Sequence, residues 1–254
     1  PGPVLAHPPR TPAELASLPR LPVERSVRFV LETVRMARAA LPAGVPLIGY
    51  TGAPFTLAAW LIEGGGPQDC QRLRRLMGAE PAATAALLAH LSELVGDYAC
   101  AQVEAGAQVI QVFDTSVGVL SAEQFEHLVL PCLRSLFARL AAAGVPRIYF
   151  ALAAPHLLPW LPATGASVFS LDWRTPLREA YARYGPGVPL QGNLDPCLLF
   201  AAPDALEAAV ADILAAARGK PHIFNLGHGV LPETPLEAVR RLVDRVHAGA
   251  ATDD

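Results

Sequence analysis

The sequence contains very little lysine and few charged residues of either sign. Of its 20 basic residues only Lys220 is a lysine, and 23 acidic residues bring the net charge to -3 over 254 residues. This near balance offers no basic surface for nucleic acid or for an anionic membrane, so neither is an expected partner. Nearly all the positive charge is guanidinium, which suits bidentate recognition of carboxylates, although codon bias alone produces the same arginine excess.

Several motifs that define other classes of protein are also missing. The four cysteines are far apart, and no CxxC, HxC, HxH or HExxH spacing occurs, so the sequence predicts neither a metal site nor a redox dithiol. Reduced thiols are typical of the cytoplasm, which is the expected compartment. No apolar run of about 18 residues is uninterrupted, which argues against a membrane span. No glycine-rich phosphate loop of GxGxxG or GxxxxGK[ST] type is present.

What is present is an alternation of short apolar runs with longer segments of helical period. The strand-like runs cover residues 45–52, 107–115, 146–153, 166–173, 188–195 and 221–228. The helix-like segments between or before them include 23–41, 81–106, 121–144 and 202–219. Such an order predicts parallel strands joined by helical crossovers, in either an α/β barrel or a doubly wound sheet.

The residues that end these strands favour the barrel. Almost every run closes on small or polar residues, as in Asp114-Thr115 and Asn225-Leu226-Gly227-His228. Polar groups at the carboxyl ends of parallel strands are how a (β/α)8 barrel builds its active site. A barrel of this kind needs eight strands, and no strand-like run precedes residue 45. We therefore predict an α/β fold of the (β/α)8 barrel class that lacks its first two strand-helix units, or else an incomplete sheet.

Three segments supply the candidate binding residues. Residues 49–66 predict a strand end, an apolar helix carrying Trp60 and a mobile loop of three glycines, or simply a turn and a linker. Residues 113–118 offer Asp114 as a base or orienting acceptor and Thr115 as a donor, unless the aspartate only caps a loop. His228 closes a strand-like run between two glycines, a context that favours contact with a ligand.

The same segments resemble one enzyme family. The strings PLIGYTGAPFTLAAWLIEGGG, QVFDTSVGVLS, LDWRTP, QGNLDP and FNLGHGVLPETP occur in the order in which uroporphyrinogen decarboxylases carry them. The resemblance covers practically the whole chain, from about Gly2 to about Val246, and implies one barrel domain over residues 1–254. It further implies a cofactor-free carboxy-lyase of haem biosynthesis, a homodimer, that removes CO2 from the four acetate side chains of uroporphyrinogen III to give coproporphyrinogen III.

The resemblance also implies roles for individual residues. Thr115 stands where the family has a Ser or Thr that hydrogen-bonds a substrate carboxylate, and His228 stands at a substrate-contacting histidine. Trp60 stands where the family has a tyrosine, so an aromatic wall is kept and a phenolic hydroxyl is lost. The family's Arg-rich loop and its FSD-like aspartate do not occur in this sequence, which therefore resembles the C-terminal three-quarters of such an enzyme. The catalytic residues in this chain are accordingly unknown.

Two alternatives remain open from the sequence. A zinc-dependent methyltransferase of the same barrel superfamily would need a His-x-Cys pair, where this chain has His156 followed by Leu157 and Leu158. A non-catalytic porphyrinogen-binding protein is the other alternative, and substrate binding without turnover would identify it.

Overall fold

The protein, described as a computed structural model over residues 4–20, 22–66 and 69–250, forms two compact units. The N-terminal unit is Pro1–Ser167 and the C-terminal unit is Val168–Asp254. Each unit contains three parallel strands joined by helical segments. This arrangement confirms the predicted α/β class.

The N-terminal unit consists of eight helices and three strands among its described residues. The helices are α1 (Pro12–Ala16), α2 (Val23–Ser26), α3 (Arg28–Ala40), α4 (Pro54–Glu63), α5 (Gln71–Ala79), α6 (Pro81–Glu104), α7 (Ala122–Gln124) and α8 (Leu130–Ala142). The strands are β1 (Ile48–Gly52), β2 (Val109–Asp114) and β3 (Arg147–Ala151). A 3-10 turn follows β2 at Val117–Val119, and a longer 3-10 segment follows β3 at Pro155–Thr164.

The central strand of this unit, β2, pairs in parallel with β1 on one side and with β3 on the other. Its side chains alternate between two faces, as the pleat requires. Ile110, Val112 and Asp114 share one face and are all fully buried, whereas Phe113 is half-buried on the opposite face. Helices α4 and α6 contact β2 and α8 contacts β3, so a helix layer covers part of this sheet.

Helix α4 is placed by residues at its two ends. It begins almost directly after β1, with Pro54 at its first position, where the missing N–H is no loss. It ends at Gly64, whose φ of 83° is a left-handed conformation that glycine adopts without a steric cost. The N-terminal turn of α4 therefore lies beside the carboxyl ends of the strands, since the N–H of Ala53 donates to the carbonyl of Phe113 at 2.8 Å.

The C-terminal unit has shorter strands and three helices among its described residues. Its elements are β4 (Val168–Ser170), α9 (Leu177–Tyr184), β5 (Leu190–Gln191), α10 (Pro203–Ala217), β6 (His222–Ile223) and α11 (Leu236–Ala250). β5 pairs in parallel with both β4 and β6. The core of α10 and α11 is a cluster of buried aliphatic side chains, Leu194, Leu199, Leu206, Val210 and Leu242.

All six predicted strands are present, each shorter than its apolar run. The predicted helices are also present, and two of them are interrupted. Residues 121–144 form α7, a π-helical turn at Phe125–Val129 and then α8, while residues 23–41 break at Val27 into α2 and α3. Whether residues 1–254 form one barrel domain stays a prediction.

Candidate functional site

A buried carboxylate ends β2 in the N-terminal unit. The side chain of Asp114 has no solvent exposure. The hydroxyl of Thr56 donates to its Oδ1 at 2.7 Å, and the hydroxyl of Tyr149 donates to its Oδ2 at 2.9 Å. Thr56 lies in the first turns of α4 and Tyr149 lies in β3, so the carboxylate joins three elements of the unit. We call Asp114, Thr56 and Tyr149 the carboxylate cluster.

The environment of this cluster shifts the acidity of both its titratable groups. Burial raises the pKa of Asp114 to about 6, against the opposing effect of the hydrogen bonds from Thr56 and Tyr149. Burial together with the neighbouring Asp114 carboxylate raises the pKa of Tyr149 well above its ordinary value. At neutral pH the phenol is therefore protonated and donates to a largely ionised carboxylate.

The cluster extends to the loop that follows β2. Thr56 Oγ1 accepts a hydrogen bond from the backbone N–H of Ser116 at 3.2 Å, while its own proton goes to Asp114. The side chain of Ser116 also hydrogen-bonds the buried thiol of Cys70, whose pKa burial raises to about 11. Hydrogen bonds therefore hold both residues that flank Thr115. Asp114 is held by its side chain, and Ser116 is held by its backbone N–H.

Thr115 and Trp60 are the predicted binding residues of this unit. Thr115 is half-buried and lies in the bend directly after β2, whereas the preceding Asp114 is fully buried. Trp60 is half-buried in α4, four residues after Thr56 and hence about one turn along the same side of the helix. The carboxylate cluster therefore contacts the helix that carries one predicted residue and the loop that carries the other.

A close backbone approach fixes the loop after β2 from its other end. A Cβ on Gly118 would lie 2.6 Å from the carbonyl oxygens of both Leu152 and Ala153. This distance is shorter than a carbon–oxygen van der Waals contact allows. Ala153 itself has a φ of 53°, in the left-handed region that residues other than glycine rarely adopt. The N–H of Leu152 donates to the carbonyl of Asp114 at 3.1 Å. Together these contacts tie the end of β2 to the end of β3.

The C-terminal unit has its own buried carboxylate, two residues after β4. Asp172 is 2% exposed, and its Oδ1 accepts from the backbone N–H of Arg174 at 3.0 Å. The Arg174 guanidinium forms an ion pair with Oδ2 at 2.8 Å and stacks over the ring of Trp173, 4.3 Å from its centroid. Here the charge of the carboxylate is balanced by a half-exposed cation.

Residues of two neighbouring loops pack against this segment. We call Asp172, Arg174 and Asn193 the second cluster. The amide of Asn193, just after β5, donates to the carbonyls of Asp172 and Thr175. A Cβ on Gly227 would lie 2.7 Å from the backbone nitrogen of Trp173, so glycine is needed for this close approach. The exposed His228 follows, and its Nδ1 accepts from the N–H of Gly229 at 2.6 Å. A neutral imidazole with that acceptor carries its proton on Nε2, where it is a hydrogen-bond donor.

The structure thus places Trp60 on the helix and Thr115 in the loop that the carboxylate cluster joins within the N-terminal unit, and it places His228 in the C-terminal unit. Sequence reasoning identified Asp114 without its partners and missed Thr56 and Tyr149. A signal for both was present, since each puts a hydroxyl into an otherwise apolar helix or strand. The Nε2 of His156 hydrogen-bonds the carbonyl of Leu120 at 2.7 Å.

Two further observations concern the described residues as a whole. Within residues 4–20, 22–66 and 69–250, no group of three His, Cys, Asp or Glu side chains is arranged to hold a metal ion. None of the helices in these ranges combines the length and the apolar character needed to cross a bilayer.

Comparison with known proteins assigns the chain to a family. The family model described as Uroporphyrinogen decarboxylase (URO-D) matches residues 1–249. The chain belongs to the uroporphyrinogen decarboxylase family. A uroporphyrinogen decarboxylase of Streptomyces griseus is 45% identical over 251 residues, which are 98% of this chain and 68% of that protein. The Streptomyces coelicolor protein of the same name is 46% identical, covering 97% of this chain and 69% of the relative.

Solved structures of lower sequence identity share the fold. A methyltransferase from Methanosarcina mazei superposes with a TM-score of 0.75 at 22% identity, covering 87% of this chain and 64% of the other. A B12-independent methionine synthase from Shewanella sp. W3-18-1 gives a TM-score of 0.61 at 11% identity, over 88% of this chain and 66% of the other. The chain thus spans slightly less than two thirds of these two proteins. These two superpositions support the (β/α)8 barrel class that was predicted for this chain.

Proposed function

We propose that the protein acts in the decarboxylation of uroporphyrinogen, by removal of CO2 from its acetate side chains. The observation that carries this proposal is family membership over residues 1–249, together with two hydrogen-bond donors that follow the carboxyl ends of parallel strands. Thr115 comes directly after β2, and His228 comes five residues after β6. That end of the strands is where barrel enzymes bind their substrates. The substrate is rich in carboxylates, which accept hydrogen bonds from such groups.

The chemistry of the substrate explains why no cofactor is expected. Loss of CO2 from an acetate leaves an electron pair that needs an acceptor, and a pyrrole protonated on carbon supplies one. The protein then has to bind the carboxylates, exclude water and stabilise the positive charge that develops on the pyrrole. In this chain the hydroxyl of Thr115 donates a hydrogen bond to a substrate carboxylate, and Nε2 of His228 donates another. Trp60 supplies an apolar wall.

Two measurements on the full chain under anaerobic and reducing conditions test this proposal: binding of uroporphyrinogen by calorimetry, and its conversion to coproporphyrinogen. Binding without conversion would identify the non-catalytic alternative instead. Thr115→Val and His228→Leu each remove one donor to a carboxylate, and we expect each to raise the Kd about tenfold. Thr33→Val and His127→Leu are matched controls on exposed helix positions and should leave the Kd unchanged. A wild-type chain that fails to bind uroporphyrinogen, or variants that bind as tightly as wild type, would contradict the proposal.

The role of Trp60 has a separate test. Trp60→Tyr restores the phenol that the resemblance implies at this position and keeps the aromatic wall, so binding should be retained or tightened. Trp60→Ala removes the wall, and a binding site that relies on it should weaken about tenfold. Equal affinities for the two variants would remove Trp60 from the binding site.

We also propose a cytoplasmic homodimer, as the family resemblance implies. The four free cysteines support a reducing compartment. Sedimentation equilibrium at micromolar concentration measures the oligomeric state directly, and a monomer would contradict the proposed dimer. Fractionation of the source cells, with detection of the protein in the soluble cytoplasmic fraction, tests the compartment.

A further inference from the structure

The carboxylate of Asp114 is enclosed by side chains of the N-terminal unit. It lies on the same face of β2 as Ile110 and Val112, it is fully buried, and both its oxygens accept hydrogen bonds from side chains of the same unit. Thr115, the next residue, lies beyond the end of β2 and is half-buried. Any contribution of Asp114 to the site therefore passes through the residues it holds.

The hydrogen bonds of the carboxylate cluster form a continuous path to the loop of Thr115. The Ser116 N–H donates to Thr56 Oγ1, and the Thr56 hydroxyl donates in turn to Asp114 Oδ1. The Tyr149 hydroxyl occupies Oδ2, so the carboxylate is fixed from both sides. Because the hydroxyl of Thr56 is donor and acceptor at once, it ties α4 to both residues that flank Thr115.

We propose that Asp114 is a positioning residue, which through Thr56 and Tyr149 sets the geometry of Thr115 and of the α4 helix that carries Trp60. This inference rests on the proposed function, because it takes Thr115 and Trp60 as groups that contact uroporphyrinogen. A buried carboxylate with two hydroxyl donors imposes more directional order than an apolar side chain of the same size, since each bond constrains an angle as well as a distance.

The test removes one hydroxyl at a time and leaves the carboxylate in place. Thr56→Val keeps the shape of the side chain and deletes both the donor to Asp114 and the acceptor for the Ser116 N–H. Tyr149→Phe deletes the donor to Oδ2 alone. A misplaced binding group costs far more than the lost contact itself, so we expect Thr56→Val to raise the Kd for uroporphyrinogen about tenfold and Tyr149→Phe to raise it by less.

Matched variants separate positioning from a general loss of stability. Thr84→Val removes the hydroxyl of another buried helical threonine, which bonds the carbonyl of Glu80, and Tyr181→Phe removes a phenol bonded to the carbonyl of Pro221. Both should lower the thermal midpoint with no change in Kd. Thr56→Ser restores the hydroxyl and should restore wild-type affinity.

Each outcome of this series decides something. Increased Kd values for Thr56→Val and Tyr149→Phe, rescue by Thr56→Ser and unchanged controls would support the positioning role. Lower stability with wild-type affinity in the two cluster variants would overturn it and leave the proposed function standing. A wild-type chain that does not bind uroporphyrinogen would overturn both, and that result is read before any variant is made.

Discussion

Asp114 and Asp172 are two buried aspartates near the carboxyl ends of strands, and the protein satisfies them in different ways. Asp114 accepts hydrogen bonds from two hydroxyl groups, and burial raises its pKa to about 6. Asp172 is paired with the guanidinium of Arg174, whose side chain is 44% exposed. Neutral donors fix a carboxylate in place without balancing its charge, whereas a cation balances the charge and brings sensitivity to salt. The comparison therefore predicts a pH-sensitive cluster in one unit and a salt-sensitive cluster in the other.

The largest expected effect comes from adding a Cβ at the two glycines where backbone segments approach each other closely beside the clusters. Gly118→Ala would place a Cβ 2.6 Å from two backbone carbonyl oxygens, and Gly227→Ala would place one 2.7 Å from the Trp173 nitrogen. Backbone atoms in packed loops move only at a cost, so each change should lower the free energy of unfolding by about 3 kcal/mol. Chemical denaturation of each variant measures this loss.

Gly187→Ala and Gly44→Ala are the controls for this pair, because nothing lies within 4 Å of the Cβ that either would add. Their stabilities should stay within about 0.5 kcal/mol of wild type. Equal losses at all four positions would show that the close approaches are not what these two loops depend on.

The next effect is the pH dependence of the Asp114 cluster. The folded protein holds the Asp114 proton up to about pH 6, whereas the unfolded chain releases it near 3.8, so the folded state binds more protons between these values. The free energy of unfolding attributable to this group therefore falls as pH rises from about 4 to about 6, by about 3 kcal/mol, and levels off above pH 6.

Asp114→Asn removes the titrating group and should abolish this component of the profile. The measurement is the difference in free energy of unfolding between wild type and variant at pH values from 4 to 7. Because the carboxylates elsewhere titrate in both proteins, their contributions cancel in the difference. A difference that does not vary with pH would contradict the raised pKa.

The smallest effect concerns the ion pair of the other cluster. Arg174→Gln removes the cation from Asp172 and, because the guanidinium is half-exposed, should cost about 1 kcal/mol at low salt. The loss should shrink as salt is added, since screening weakens the pair that the variant lacks. The same salt series on Asp114→Asn should show no comparable trend, and a similar trend in both variants would erase the distinction between the clusters.

The sequence was sufficient for the strand-helix order and for the places where strands end in polar residues. Thr115 and His228 could be selected because local patterning alone puts them at the ends of strand-like runs. Pleat alternation, also a local rule, is enough to put Asp114 on the same face of β2 as Ile110 and Val112. The lengths of the strands were overestimated, because apolar runs continue beyond the last ladder hydrogen bond.

The partners of Asp114 could not be predicted in the same way. Thr56 is 58 residues from Asp114 and Tyr149 is 35 residues away, so their contacts depend on the entry angle of α4 and on the register between β2 and β3. Neither property is encoded in a short window of sequence. The hydrogen bond from the Ser116 N–H to Thr56 depends on the entry angle of α4 and on the strand register together.

The central claim is that the hydroxyl of Thr56 holds the Thr115 loop for binding of uroporphyrinogen. Amide hydrogen exchange at Thr115 and Ser116, with and without uroporphyrinogen, tests it most directly in wild type and in Thr56→Val. The account predicts a protected Ser116 amide in wild type, further protection of both amides with ligand, and fast exchange in the variant. Equal protection of Ser116 in the two proteins, with no change at either amide on addition of uroporphyrinogen, would contradict it.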